Sequence, residues 1–172
     1  MENGIIKKIR TTSYTGLAGS MLLAMATIVF YYACHYRFYM DNKSYQYFLI
    51  AGIVIAISFL LLTNTGRRKR MNTLRSLPDT ESKLKQYLSH VKTVYWGSLI
   101  ATTAECAIIV LSNNNTLIMV ILILVMLLVV EFPNMYKIKA DLGLTDDEMA
   151  SLFGSDYIRG NEVDNNVSHE NE

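Results

Sequence analysis

Charge is almost absent from four stretches of this sequence. The windows Tyr14–Phe30, Tyr45–Thr63, Tyr95–Leu111 and Thr116–Val130 together cover 68 of the 172 residues and hold one charged side chain, Glu105. The remaining 104 residues hold the other 30 Asp, Glu, Lys and Arg side chains. Elements of a soluble fold keep one polar face, so they do not separate charge this sharply. A helix rises about 1.5 Å per residue, and windows of this length cover most of a bilayer core of about 30 Å. In lipid only helices and closed barrels satisfy the backbone. Leu117–Val130 is apolar on every face and lacks the alternation of a barrel strand. The expected fold is therefore all-α: an integral membrane four-helix bundle with helices over about 12–34, 45–63, 93–112 and 115–131.

The polar segments divide the rest of the chain. Residues 1–13 read as a cytoplasmic arm, 14–132 as the membrane domain with a cytoplasmic loop at 64–92, and 133–158 as a C-terminal cytoplasmic segment. Residues 159–172 are polar and acidic, with the composition of a disordered tail. Basic residues set the orientation. With both termini inside, 14 of the 16 Lys and Arg residues lie on the cytoplasmic side; the opposite orientation places only Arg37 and Lys43 there. The chain is expected to be a multi-pass protein of a bacterial cytoplasmic membrane, with N- and C-termini cytoplasmic.

Two cytoplasmic helices are written into the sequence. Asp79-Thr80-Glu81 is a helix start, and Leu84, Leu88, Val91 and Tyr95 then recur at helical spacing. Gly97 is the first helix-weakening residue after them, so this stretch runs into the third membrane helix as a helical extension. Thr145-Asp146-Asp147-Glu148 is a capping box, flanked by Leu144 and Met149 at the staple positions, and Gly154 ends the helix it opens. That helix, 146–153, is too short to persist alone and must dock on the extension, the bilayer or a partner.

Several function classes drop out. A formal charge of +1 gives no bias toward nucleic acid. Cys34 and Cys106 are too few for a disulfide framework and read as small packed side chains. Basic residues before the first apolar run imitate a signal peptide, but the run is long enough to span and no cleavage site closes it. His35, His90 and His169 are scattered, and no zinc spacing, nucleophile–base pair, phosphate loop or carboxylate pair is present. No cofactor, metal or catalytic residue is expected.

Other features carry two readings each. The cluster Arg67, Arg68, Lys69 and Arg70 is a topology anchor or a set of contacts to anionic lipid headgroups. The rings of Tyr31, Tyr32, Tyr36, Phe38, Tyr39, Tyr45, Tyr47 and Phe48 form an aromatic belt or line a pocket for a flat or lipid-like ligand. Gly16, Ser20 and Ala24 on helix one, Gly52 and Ala56 on helix two, and Gly97 and Ala101 on helix three are small-residue stripes that let helices approach.

Glu105 stands apart, because a charged side chain at mid-membrane normally faces a cavity or a partner. Ser98 and Thr102 lie on the same helix face at i−7 and i−3, so hydroxyls accompany it. It is either a proton- or cation-exchanging carboxylate or a neutral carboxyl that hydrogen-bonds between helices or subunits. Four short helices and an intramembrane glutamate also resemble the small multidrug-resistance exporters. In those the acid belongs to the first helix, which here is uncharged, and they lack long segments such as Asn64–Val94 and Pro133–Glu172. No residue role is carried over and no family is assigned.

The function expected from the sequence is a non-enzymatic membrane interaction or accessory component. Its partners would be the lipid bilayer, including anionic lipids, together with a second copy of itself or a membrane partner protein. The alternative is a small proton- or cation-coupled transporter or channel that uses Glu105. The charge asymmetry makes a direct prediction. In a variant lacking Cys34 and Cys106, Asn42→Cys and Asn114→Cys should label from outside the cell, and Arg70→Cys and Gly160→Cys only from inside. Labelling of positions 42 and 70 from one side contradicts the orientation.

Overall fold

The computed structural model describes residues 2–33, 42–65, 67–112 and 115–154, and within these every regular element is a helix. The order is α1 Glu2–Ala33, α2 Asn42–Asn64, α3 Arg67–Arg75, α4 Thr80–Ser112, α5 Thr116–Val130, α6 Met135–Leu142 and α7 Asp146–Phe153. Three of them, α1, α2 and α4, are long and apolar enough to cross a membrane. Helix α5 is apolar but has only 15 residues, and it meets α6 at a bend of 77°.

The long helices pack side by side. A Cβ on Gly16 would lie 2.7 Å from Tyr95 Cβ, one on Gly19 3.1 Å from Leu99, and Cys106 Sγ lies 3.7 Å from the Leu23 carbonyl oxygen. Residue numbers rise together along this contact, so α1 and α4 are parallel. Gly52 meets Glu105 while Phe59 meets Gly97, so α2 runs antiparallel to α4. Tyr95 Oη donates to the Leu128 carbonyl at 3.2 Å, and Gly52 meets Leu117, which sets α5 alongside α2 and against α4. The outward faces are apolar: Ile100 is 70% exposed and Met126 68% exposed. Such surface suits lipid and not water.

At the end where α1 begins and α5 ends, a second layer surrounds the start of α4. Its core joins Ile6 and Ile9 of α1, Met71 and Leu74 of α3, and Leu84, Tyr87 and Val91 of α4 to Ile138, Leu142, Met149 and Leu152 from the C-terminal helices. The stripe Leu84, Val91 and Tyr95 is buried as its spacing predicts, with Leu88 packed at the edge. Asp79 accepts from the Ser82 backbone N–H at 2.9 Å and caps α4. The capping box of α7 is complete: Thr145 Oγ1 accepts from the Glu148 amide, and the Glu148 carboxylate accepts from the Thr145 amide. Helix α7 docks on α1 and α4, where Thr80 Oγ1 donates to Glu148 Oε1 at 2.6 Å and Arg10 stands 5.4 Å from the Phe153 ring centre.

Three elements differ from the sequence reading. Helix α1 begins at Glu2 and not near residue 12, because Ile6 and Ile9 lie one turn apart and are held by this layer. Helix α3 occupies part of the expected loop, since Met71 and Leu74 bury a narrow face of a segment that is otherwise charged. Helix α6 follows Pro133, with Asn134 Oδ1 accepting from the Lys137 amide and Gly143 ending it in a left-handed conformation. The tail at 159–172, together with Cys34, His35, Tyr36, Arg37, Phe38, Tyr39 and His169, lies outside the described residues.

The second layer is titratable. Hydrogen bonds from Thr80 and the Thr145 amide hold the Glu148 carboxyl below its ordinary range. A depressed carboxyl stabilises the fold at neutral pH, and that stability is lost as pH falls through the folded value. Thr145→Ala, which removes a cap worth about 1 kcal/mol, and Met149→Ala, which costs about 2–5 kcal/mol, should both speed proteolysis after residue 142. Acidification should speed it further in the parent than in a Glu148→Gln variant. Unchanged cleavage in both truncations would mean that α7 is not held by this layer.

Candidate functional site

Glu105 lies at the centre of the helix packing, three turns beyond Tyr95. Its side chain is 0% exposed, as are those of Ser98, Thr102 and Ser20. The 98, 102 and 105 positions share one face of α4, which looks into the space between its neighbours. Ser20 comes from α1, at a level fixed by the Gly19–Leu99 and Leu23–Cys106 contacts on either side. From α2, Gly52 brings bare backbone to the carboxylate: a Cβ there would lie 2.9 Å from Glu105 Oε2 and 2.7 Å from Leu117 Cδ2. Ile109, Leu117, Ile121 and Leu124 are buried nearby and make the surroundings apolar.

Among the described residues neither Glu105 carboxylate oxygen has a hydrogen-bond partner, and the hydroxyls of Ser20, Ser98 and Thr102 have none either. Buried polar groups are normally paired, so four unpaired side chains in one region require a cause. The other helical hydroxyls show what is ordinary in this chain. Ser13, Thr27, Thr63, Thr93, Thr103 and Ser112 each donate to the carbonyl four residues back, at 2.6–3.1 Å. Ser98 and Thr102 share a helix with three of these yet do not bond back.

Most of the sequence stripes prove to be contacts inside the chain. Gly16 takes the Tyr95 side chain, Gly97 faces Phe59, and Ser20, Ala24, Ala56 and Ala101 are buried between helices. Cys106 is a free, buried thiol, packed as its surroundings predict. Among the described aromatic residues of the opposite end, Tyr31 and Tyr32 meet edge to face at 5.2 Å, while Tyr32 and Tyr47 are exposed.

The basic cluster is divided. Arg67 pairs with Glu131, which also takes Lys137 Nζ at 2.8 Å, and Arg67 Nη2 lies 3.7 Å from Asp141. Tyr87 Oη donates to Asp141 at 3.2 Å. Burial pushes the Glu131 carboxyl up, but the Lys137 and Arg67 cations outweigh it and hold it below the usual range. Arg70 Nη1 stands 3.1 Å from His90 Nδ1; burial, then the Arg70 and Arg67 charges, hold His90 below the usual histidine range. Lys69 is exposed, and the Arg68 side chain lies outside the described residues. Glu131 thus closes the packed helices against α3 and α6. A small cleft opens beside this network, lined by Phe59, Leu60, Thr63, His90, Val94 and Leu127.

The sequence signalled Glu105, Ser98 and Thr102 together. It gave Gly52 and Ser20 as packing positions only, because their approach to Glu105 depends on how α1 and α2 are set around α4. Among the described residues no group of three or more His, Cys, Asp or Glu side chains could hold a metal ion. No protein-family model, curated protein or solved structure matches the chain.

The glycine contacts differ in how far they can yield. At Gly16 the obstacle is Tyr95 Cβ, fixed to the α4 backbone; at Gly52 it is the flexible end of Leu117 together with the Glu105 carboxylate. Gly16→Ala should therefore cost more stability, about 1–3 kcal/mol as an overpacked core does, and Gly52→Ala less. Thermal unfolding in detergent would check the order. A Gly16→Ala variant as stable as the parent would contradict the close α1–α4 approach.

Proposed function

We propose that this chain is a small, non-enzymatic integral membrane protein that binds and releases a proton or cation at Glu105, as a transporter or channel does. The observation that carries the reading is that one fully buried, unpaired carboxyl is accompanied by three fully buried, unpaired hydroxyls. A purely structural carboxyl would be expected to end in hydrogen bonds, since leaving it unpaired costs stability. In this reading α1, α2, α4 and the bent α5–α6 pair form a four-helix membrane bundle. The basic layer faces the cytoplasm of a bacterial cell, and both termini lie inside.

A second reading retains the interaction or accessory role. It is supported by the layer built from α3, α6, α7 and the ends of α1 and α4, which is too small for an enzyme domain but firmly packed. The stripes that suggested self-association are filled by helices of the same chain, so a second copy or membrane partner would use the outward faces. Lys69 and Arg70 would then meet anionic headgroups.

Flux in liposomes separates the two readings. Under an imposed pH or salt gradient, the parent should carry protons or cations. Glu105→Gln, which keeps the shape but cannot ionise, should fall to the level of empty liposomes while its thermal stability changes little. Equal flux in both proteins, or none in either at matched reconstitution, would count against the ion-coupled reading and favour the accessory one.

A further inference from the structure

We infer that the Glu105 site takes a dehydrated monovalent cation of the alkali-metal class, held by the Glu105 carboxylate and the hydroxyls of Thr102 and Ser20, with Ser98 about two turns below on the same helix. The inference rests on the reading of Glu105 as an exchanging site and gives that site its ligand. Every donor is oxygen, the ligand type that hard cations take and soft metals do not. The charge selects valence. Among the described residues the buried charged side chains are Glu105 and Lys83. Lys83 stands 22 positions earlier on α4, about 33 Å along the helix axis. One carboxylate and one monovalent ion make a neutral pair in apolar surroundings, whereas a divalent ion would leave a net charge there at a high solvation cost.

The arrangement of the hydroxyls separates a cation from a proton. A shared proton holds two oxygens at about 2.5–3.0 Å in good alignment. No two of these side chains meet in hydrogen-bond geometry, although three share one face of α4 and the fourth approaches from α1. Oxygens that neither share a proton with one another nor bond back to the helix are left to bond to an ion. The hydroxyls also forgo the backbone bond that their counterparts in the same helix make, which leaves their lone pairs for a ligand. Gly52 brings the α2 backbone against the carboxylate, because a Cβ there would lie 2.9 Å from Glu105 Oε2.

The test is thermal unfolding of the full chain in detergent, in lithium, sodium, potassium or choline chloride at equal ionic strength. At least one alkali ion should raise the midpoint saturably above choline, by about 5 °C or more near saturation. Glu105→Gln should abolish the rise, and Thr102→Val, which keeps the shape and removes the hydroxyl, should weaken it at least tenfold in apparent affinity. Should Glu105→Gln fail to fold, Thr102→Val and Ser20→Ala supply the same comparison. Equal midpoints in all four salts, or a rise that persists in the variants, would overturn the inference. If proton flux that depends on Glu105 survives that result, the exchanging site stands with a proton alone; if it does not, both fail.

Discussion

Helices α1 and α4 lie so close at Gly16 that a single added carbon would collide with the Cβ of Tyr95. The remaining packing is arranged around this contact. It fixes the level at which Ser20 faces α4, and it turns the face bearing Ser98, Thr102 and Glu105 toward the interior of the helix packing. Helix α2 then closes the other side, where Gly52 lets its backbone reach the carboxylate. Burial of the acid is thus a result of glycine-mediated approach from two directions. A side chain at Gly16 would push α1 and α4 apart, whereas one at Gly52 would press on the flexible end of Leu117 and on the carboxylate itself.

The second layer secures the depth and order of these helices. Ile6 and Ile9 extend α1 into it, Tyr87 and Val91 extend α4, and Pro133 turns the chain so that Ile138 and Leu142 cover both. Arg67, Lys137 and Glu131 tie the end of α2 to the end of α5 at the boundary. Partly exposed ion pairs contribute little individually. Here they also satisfy a carboxylate that would otherwise stand half-buried beside apolar helix ends. Arg67 of the basic cluster therefore organises the packing, while Lys69 and Arg70 make no ion pair with an acidic side chain among the described residues.

Features governed by local spacing were legible in the sequence. The stripe from Leu84 to Tyr95 identified the buried face of α4, and Thr145 with Glu148 identified α7 by its cap. Glu105 was conspicuous because nothing else charged occurs in the apolar windows. The first turns of α1 were missed: Lys7, Lys8 and Arg10 dominate the composition there, and Ile6 and Ile9 show a buried face only once a second layer exists to receive it. Helix α3 was hidden in the same way behind four consecutive basic residues. Helix α6 did carry local signals, with Asn134 at its start and Gly143 past its end. The roles of Gly52 and Ser20 at the site depend on register between helices distant in sequence, and no local pattern encodes that register.

The central claim is that a sealed carboxyl in the helix interior exchanges its ligand. The most direct measurement is the infrared difference spectrum of the membrane-reconstituted protein between alkali-metal and choline salts near neutral pH. Adding the alkali ion should exchange a carboxylic-acid band for a carboxylate band, and Glu105→Gln should remove this change. A spectrum without carboxyl changes across salts and across pH, in a protein confirmed to be folded, would contradict it and make Glu105 a fixed structural group.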